Sequence, residues 1–216
     1  MVWATGTSHR CGPQPSPPGL YAGPVGSTVG QQPFGDDLTV QEEQPPFRGW
    51  LLGPGRLTVT ARAQVSERSM VSVWLTGFED QPQRCREVCV FEIFGVTVTS
   101  GPNPSAAVGA GIHPFRDPAL REEFSVDSIP FDPARWHRYA VTIAADACAW
   151  DIDGAPMRTS RQAPAYPLQI FTGVFDFPDR ESGATAGHEP WLEIDESPSP
   201  RARTDPARHA PPGPGA

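Results

Sequence analysis

Through the middle of this 216-residue chain, apolar and polar side chains alternate in one short run after another, and each run is cut off by Gly, Pro or Asp. A period of two is the spacing of a strand with one face buried, and the interruptions keep such strands short. In GRLTVTARAQV, Leu57, Val59, Ala61, Ala63 and Val65 share one face while Thr58, Thr60, Arg62 and Gln64 take the other. MVSVWLT sets Val71, Val73 and Leu75 against Ser72, Trp74 and Thr76. HRYAVTI groups Tyr139, Val141 and Ile143, CAWDID runs into the turn signal Asp153-Gly154, and LQIFTGVFDF is a further β-branched and aromatic run. Only DPALREEF, Asp117 to Phe124, has the makings of a helical turn. With 27 Pro and 21 Gly a helical bundle is excluded. The expected architecture is an all-β antiparallel sandwich or barrel.

The ends differ from the middle. Residues 196–216 hold six prolines and no large apolar side chain, so ordering them would cost entropy with nothing to bury. The Pro-rich residues 1–19 have the same character, which leaves 20–195 as the expected domain. Every one of the 17 basic residues is Arg, and 25 acids give a net charge of -8, which argues against nucleic acid as a partner. No apolar run is long enough to span a bilayer, so a soluble monomer without membrane partners is expected. MVWATGTSHRCG, at positions 1 to 12, has the features of neither an export signal nor an organelle-type leader. The cysteines (Cys11, Cys85, Cys89, Cys148) lack the paired spacing of a zinc site. Four residues of strand between Cys85 and Cys89 span about 13 Å, too far for a disulfide, so free thiols are expected.

One stretch breaks the simple alternation. In REVCVFEIFG, Arg86 to Gly95, strict period two puts Glu87, Cys89 and Phe91 on one face and turns Glu92 into the core beside Val90, Ile93 and Phe94, where an unpaired carboxylate is very costly. One extra residue, a β-bulge, re-phases the strand so that Glu87, Cys89 and Glu92 project together and Val88, Val90 and Ile93 turn inward. Two carboxylates converging on a concave sheet are what retaining glycoside hydrolysis needs: an ionised nucleophile and a protonated acid, about 5 to 5.5 Å apart.

REVCVFEIFG resembles the active-site strand of glycoside hydrolase family 16, whose pattern is Glu-x-Asp-x-(x)-Glu with a Gly soon after, here Gly95. GRLTVTARAQVSERSMVSVWLTGFED is similar to the strand pair that precedes that strand in the family. WHRYAVTIAADACAWDIDGAPMRT and YPLQIFTGVFDFP are similar to later strands. The resemblance covers most of the expected domain. It implies a concanavalin-like jelly-roll β-sandwich of two antiparallel sheets with a concave cleft. It implies Glu87 as nucleophile, Glu92 as general acid/base and a polysaccharide substrate with β-1,3 or β-1,3-1,4 linkages. No cofactor is implied, although some family members carry a structural calcium.

Two departures accompany it. Cys89 stands where the family has its middle Asp, and a thiol is a weaker hydrogen-bond donor than a carboxyl. Only about twenty Pro-rich residues precede LYAGPVGSTVGQQPF, where the family has further strands, so an open sheet edge or groove is expected near Leu38 to Glu43.

For each candidate a plainer role stands beside the chemical one. Glu87 and Glu92 are either the catalytic pair or two solvated strand acids. Trp74, on the polar face of its strand, is either a platform for a sugar ring or a half-buried structural residue. His113 and Trp136 are candidates for substrate contact, and Trp136 and His137, being neighbours, face opposite ways. Besides the hydrolase, a carbohydrate-binding sandwich that has lost turnover and an inactive remnant remain open alternatives.

Overall fold

The computed structural model describes residues 25, 50–77, 81, 83–115, 117–177 and 189–195. Among them are eleven strands and one 3-10 turn, Gly95–Thr97, with no α-helix. The strands are β1 (Leu51–Leu52), β2 (Gly55–Gln64), β3 (Ser69–Gly77), β4 (Glu87–Phe94), β5 (Ala106–His113) and β6 (Ser125–Ile129), then β7 (His137–Ile143), β8 (Cys148–Ile152), β9 (Ala155–Ser160), β10 (Leu168–Asp176) and β11 (Trp191–Ile194). They form a six-stranded sheet in the order β1-β10-β3-β4-β5-β6 and a five-stranded sheet in the order β11-β2-β7-β8-β9. Each of these pairings is antiparallel, which makes the molecule a jelly-roll sandwich of the concanavalin-like type.

The alternation read from the sequence sets which faces meet. Val59, Ala61 and Ala63 of β2, Tyr139 and Val141 of β7, and Trp150 of β8 face Val71, Val73 and Leu75 of β3 and Val108, Ala110 and Ile112 of β5 in one buried cluster. Phe91 of β4 stacks on Tyr139 of β7 with ring centroids 4.0 Å apart, so it ties the sheets together at their centre. Burying a ring of this size on both sides contributes on the order of 2–3 kcal/mol.

Three expectations need comment. DPALREEF makes a single turn, closed by Leu120 N–H to the Asp117 carbonyl at 3.4 Å, and then runs without regular structure to β6. Its local helix-forming residues lose to a tertiary contact: Glu123 N–H donates to the Ile112 carbonyl of β5 at 3.0 Å. Cys89 and Cys148 are free thiols, and both are buried, as is Cys85. The groove expected near Leu38 to Glu43, and both Pro-rich ends, lie outside the described residues.

Candidate active site

The site is organised by an irregularity in β4. Against β3, Cys89 pairs with Trp74 and Phe91 with Val73, so Val90 has no partner; against β5, Cys89 pairs with Gly111 and Glu92 with Gly109. This one-residue bulge turns both Val90 and Phe91 into the core, where they are 3% and 0% exposed. Val88 and Ile93 are buried there too, opposite Leu75 and Val71. Glu87, Cys89 and Glu92 therefore share the outer face of the six-stranded sheet, and the thiol Sγ donates to Glu92 Oε1 at 3.6 Å. The bulge is held from the other sheet, because Trp150 Nε1–H donates to the Cys89 carbonyl at 2.8 Å where the ladder is broken.

The β5 side of the site is built from glycines. A Cβ at Gly111, whose φ is +139°, would lie 2.2 Å from the Glu123 carbonyl, and one at Gly109 would lie 2.4 Å from the Phe124 ring. Their absent side chains let the segment after Asp117 lie close over β5 and form a wall. His113 ends β5 opposite Glu87. Its ring stacks on Phe124 with centroids 4.5 Å apart, and its Nδ1 lies 2.9 Å from Glu122 Oε1.

The electrostatics follow from burial. Loss of water pushes the Cys89 thiol well above its ordinary range, and the charges of Glu92 and Glu87 push it the same way, so Cys89 is neutral. Burial also raises Glu92, against smaller downward pulls from His113, Cys89 and Ser72. A carboxyl raised in this way holds its proton to higher pH, as a general acid must. Among the described residues, no group of three or more His, Cys, Asp and Glu is arranged to hold a metal ion.

Trp74 pairs with Cys89 in register, so its indole lies on the face of the acids and outside the core. It stacks on Phe171 at 5.7 Å with 20° between the planes and lies 5.9 Å from Phe175, with Gly173 leaving room between them. Phe171, Phe175 and Phe124 were not singled out in the sequence; the first two follow from the alternation of LQIFTGVFDF once β10 is paired with β3. Trp136 is a correction. It precedes His137, which pairs with Ala61, and its ring takes the guanidinium of Arg62, 4.8 Å away, on the outer face of the five-stranded sheet. The core claims the His137 side of β7, where that ring packs edge-on to Phe131, so its neighbour points away from the acids on the far side of the sandwich.

No protein-family model matches the chain, and no curated protein matches it in sequence. Its fold is similar to solved structures. One is the GlcNAcα1-4Gal-releasing endo-β-galactosidase of Clostridium perfringens (TM-score 0.52, 15% identity, covering 67% of this chain and 37% of that one). Another is the β-glucanase of Bacillus licheniformis (0.51, 18%, 67% and 64%). A third is the catalytic domain of an endo-1,3-β-glucanase, or laminarinase, of Thermotoga petrophila RKU-1 (0.50, 14%, 76% and 71%). This chain thus spans less than two thirds of the length of the first two. At these identities the likeness is one of fold.

Proposed function

We propose that this chain is a retaining, endo-acting glycoside hydrolase of the family 16 type that cuts internal β-1,3 or β-1,3-1,4 bonds of a glucan. The observation that carries the reading is the bulge at Val90, which sets Glu87 and Glu92 on one face with Glu92 raised by burial. The fold it shares with two proteins named as glucanases supports the substrate class. In the first step Glu87 attacks the anomeric carbon while Glu92 gives its proton to the leaving glycosidic oxygen, so that bond breaks as the glycosyl-enzyme ester forms. In the second step Glu92, now ionised, takes a proton from water, whose oxygen attacks the anomeric carbon and releases Glu87. Trp74, with Phe171 beside it, offers an apolar platform for a sugar ring.

The test is product formation from β-1,3-glucan and mixed-linkage glucan, with Glu87→Gln and Glu92→Gln alongside. Oligosaccharides from the natural chain and none from either variant support the reading; turnover that survives both substitutions overturns it.

Cys89 favours a second reading, a glucan-binding sandwich with little turnover, because a neutral thiol cannot share a proton with Glu87 as a carboxyl does. Binding to the same glucans without products, and hydrolysis that appears with Cys89→Asp, would select it.

A further inference from the structure

The register of β3 against β4 places a hydroxyl beside each glutamate of the site. Ser72 pairs with Glu92 and Thr76 with Glu87, and partners directly opposite in an antiparallel pair carry Cβ atoms about 4.5–5.5 Å apart on the same face. Ser72 is 1% exposed and Thr76 is 0% exposed, too deep to touch a bound glycan. Among the described residues neither Ser72 Oγ nor Thr76 Oγ1 has a hydrogen-bond partner. The Ser72 hydroxyl draws the Glu92 carboxyl slightly downward without making a full hydrogen bond to it. An unsatisfied buried hydroxyl is costly, so two of them flanking two acids call for an explanation.

We propose that Ser72 and Thr76 are positioning residues of this site: each hydroxyl stands opposite one acid, where turning its side chain lets Thr76 donate to the Glu87 carboxylate and lets Ser72 serve Glu92 in both of its protonation states. The inference rests on the glycosidase reading of the two acids. A hydroxyl suits each task because it is both donor and acceptor. Toward ionised Glu87, Thr76 needs only to donate, which favours the charge a nucleophile must carry. Glu92 changes state within each turnover, and Ser72 can accept from its carboxyl O–H in one step and donate to its carboxylate in the next by rotating one bond. Cys89 between them is neutral and a poor donor, so the cross-strand hydroxyls take over part of what a carboxyl at position 89 would do. Among the described residues, the charged or titratable groups around the pair include Cys89 on the same strand, His113 on β5 and Glu122, which meets His113 from the covering segment. On the other flank, β10 presents Gln169 beside Thr76 and Gly173 beside Ser72, neither of which titrates.

The experiment is a carboxyl 13C NMR titration of the glutamates in the full chain, with pH profiles of β-1,3-glucan hydrolysis run on the same samples. Thr76→Val keeps the shape and removes the donor; Thr76→Ser keeps the donor. Ser72→Ala and Ser72→Thr form the matching pair. We expect Thr76→Val to raise the Glu87 midpoint by about one pH unit, the scale of one charge-assisted hydrogen bond, and Ser72→Ala to raise that of Glu92 by less, because Ser72 serves both protonation states. The hydroxyl-bearing variants should stay within a few tenths of a unit of the natural chain. Unmoved midpoints in folded Thr76→Val and Ser72→Ala overturn the proposal. Should one variant fail to fold, the other decides, since the two positions lie on different turns of the pleat and pair with different acids. The titration needs no turnover: shifted midpoints in a chain that hydrolyses nothing keep the positioning role and sink the hydrolase reading. Hydrolysis with unshifted midpoints does the reverse.

Discussion

Two buried polar clusters lie along the same strand and its lead-in, built on opposite principles. At the start of β4 the guanidinium of Arg86, 1% exposed, forms an ion pair with Asp117. Its Nε donates to Asp117 Oδ2 at 3.1 Å and to the Tyr166 hydroxyl at 3.0 Å, and that hydroxyl donates to the same Asp117 oxygen at 2.9 Å. The Tyr166 ring lies 4.6 Å from the guanidinium centre. One residue later begins the second cluster, in which Glu87, Cys89 and Glu92 set two acids around a thiol. Burial raises Asp117 too, but hydrogen bonds from Arg86, the Ala119 N–H and Tyr166 outweigh it and hold the carboxyl below its ordinary range. Burial of Glu92 meets weaker opposition, so that carboxyl ends above its range. One cluster is neutralised from within and serves the fold; the other stores the cost of its charges, as a site that must move a proton does.

The sharpest way to break the comparison is to unpair the first cluster. Asp117→Ala leaves a buried guanidinium without its counter-charge, and loss of one partner of such a pair costs about 3–5 kcal/mol. Urea denaturation should show a loss of that size, and the segment that covers Gly109 and Gly111 should lose its anchor. Replacing both members by apolar residues, as in Arg86→Met with Asp117→Leu, should recover most of the stability. If the single variant is as stable as the natural chain, the cluster is not the structural one.

A second substitution tests the link between core and site. Trp150→Phe fills nearly the same space but removes the donor to the Cys89 carbonyl at the bulge. The expected loss is about 1–3 kcal/mol. Because the bulge sets the phase of Glu92 against Glu87, hydrolysis should fall further than stability does, which paired denaturation and rate measurements can separate.

These two clusters were not equally open to a reader of the sequence. The acid pair was, because Glu92 in strict alternation would have been forced among Val90, Ile93 and Phe94, and a bulge relieves that conflict locally. The arrangement of Arg86 was not, since it draws on Asp117 and Tyr166, 31 and 80 residues away, and no short-range pattern records such a meeting. Trp136 was misjudged for a related reason: alternation told that it opposes His137, but only the pairing of β7 with β2 tells which of the two faces the acids. The wall from Asp117 to Phe124 was hidden by its helix-forming composition, and the signal pointing to it was the pair Gly109 and Gly111, whose missing side chains leave room for a crossing chain.

The opposite shifts of the two carboxyls predict opposite pH responses. Asp117, lowered on folding, lends stability that is complete above its unfolded pKa of about 3.9 and lost as pH falls through its folded value. Glu92, raised on folding, lends stability that is complete below its unfolded pKa of about 4.3 and lost as pH rises through its folded value. Going from pH 3 to pH 8, Glu92→Gln should therefore gain on the natural chain, and Asp117→Asn should fall behind it. Denaturation midpoints of the three proteins across that range check the sign. Parallel curves would mean that the two clusters do not differ in the way their geometry implies.

The smallest expected effect sharpens the comparison from the substrate side. Trp74 stands on the outer face beside Cys89, half-buried and stacked on Phe171 and Phe175. If its role is to hold those rings, Trp74→Ala should cost stability and leave glucan affinity alone. If it also carries a sugar ring, affinity must fall independently of stability. An aromatic contact of this type is worth about 0.5–1.5 kcal/mol beyond its area, which corresponds to a roughly twofold to tenfold rise in KM. Because the platform binds ground state and transition state alike, kcat should change little. Trp74→Phe keeps a smaller ring against Phe171 and should fall between the two. Binding of short β-1,3-glucan oligosaccharides, measured by calorimetry on Glu87→Gln to prevent turnover, reads the effect directly. Unchanged affinity in Trp74→Ala would leave the indole a purely structural member of the Phe171 and Phe175 stack.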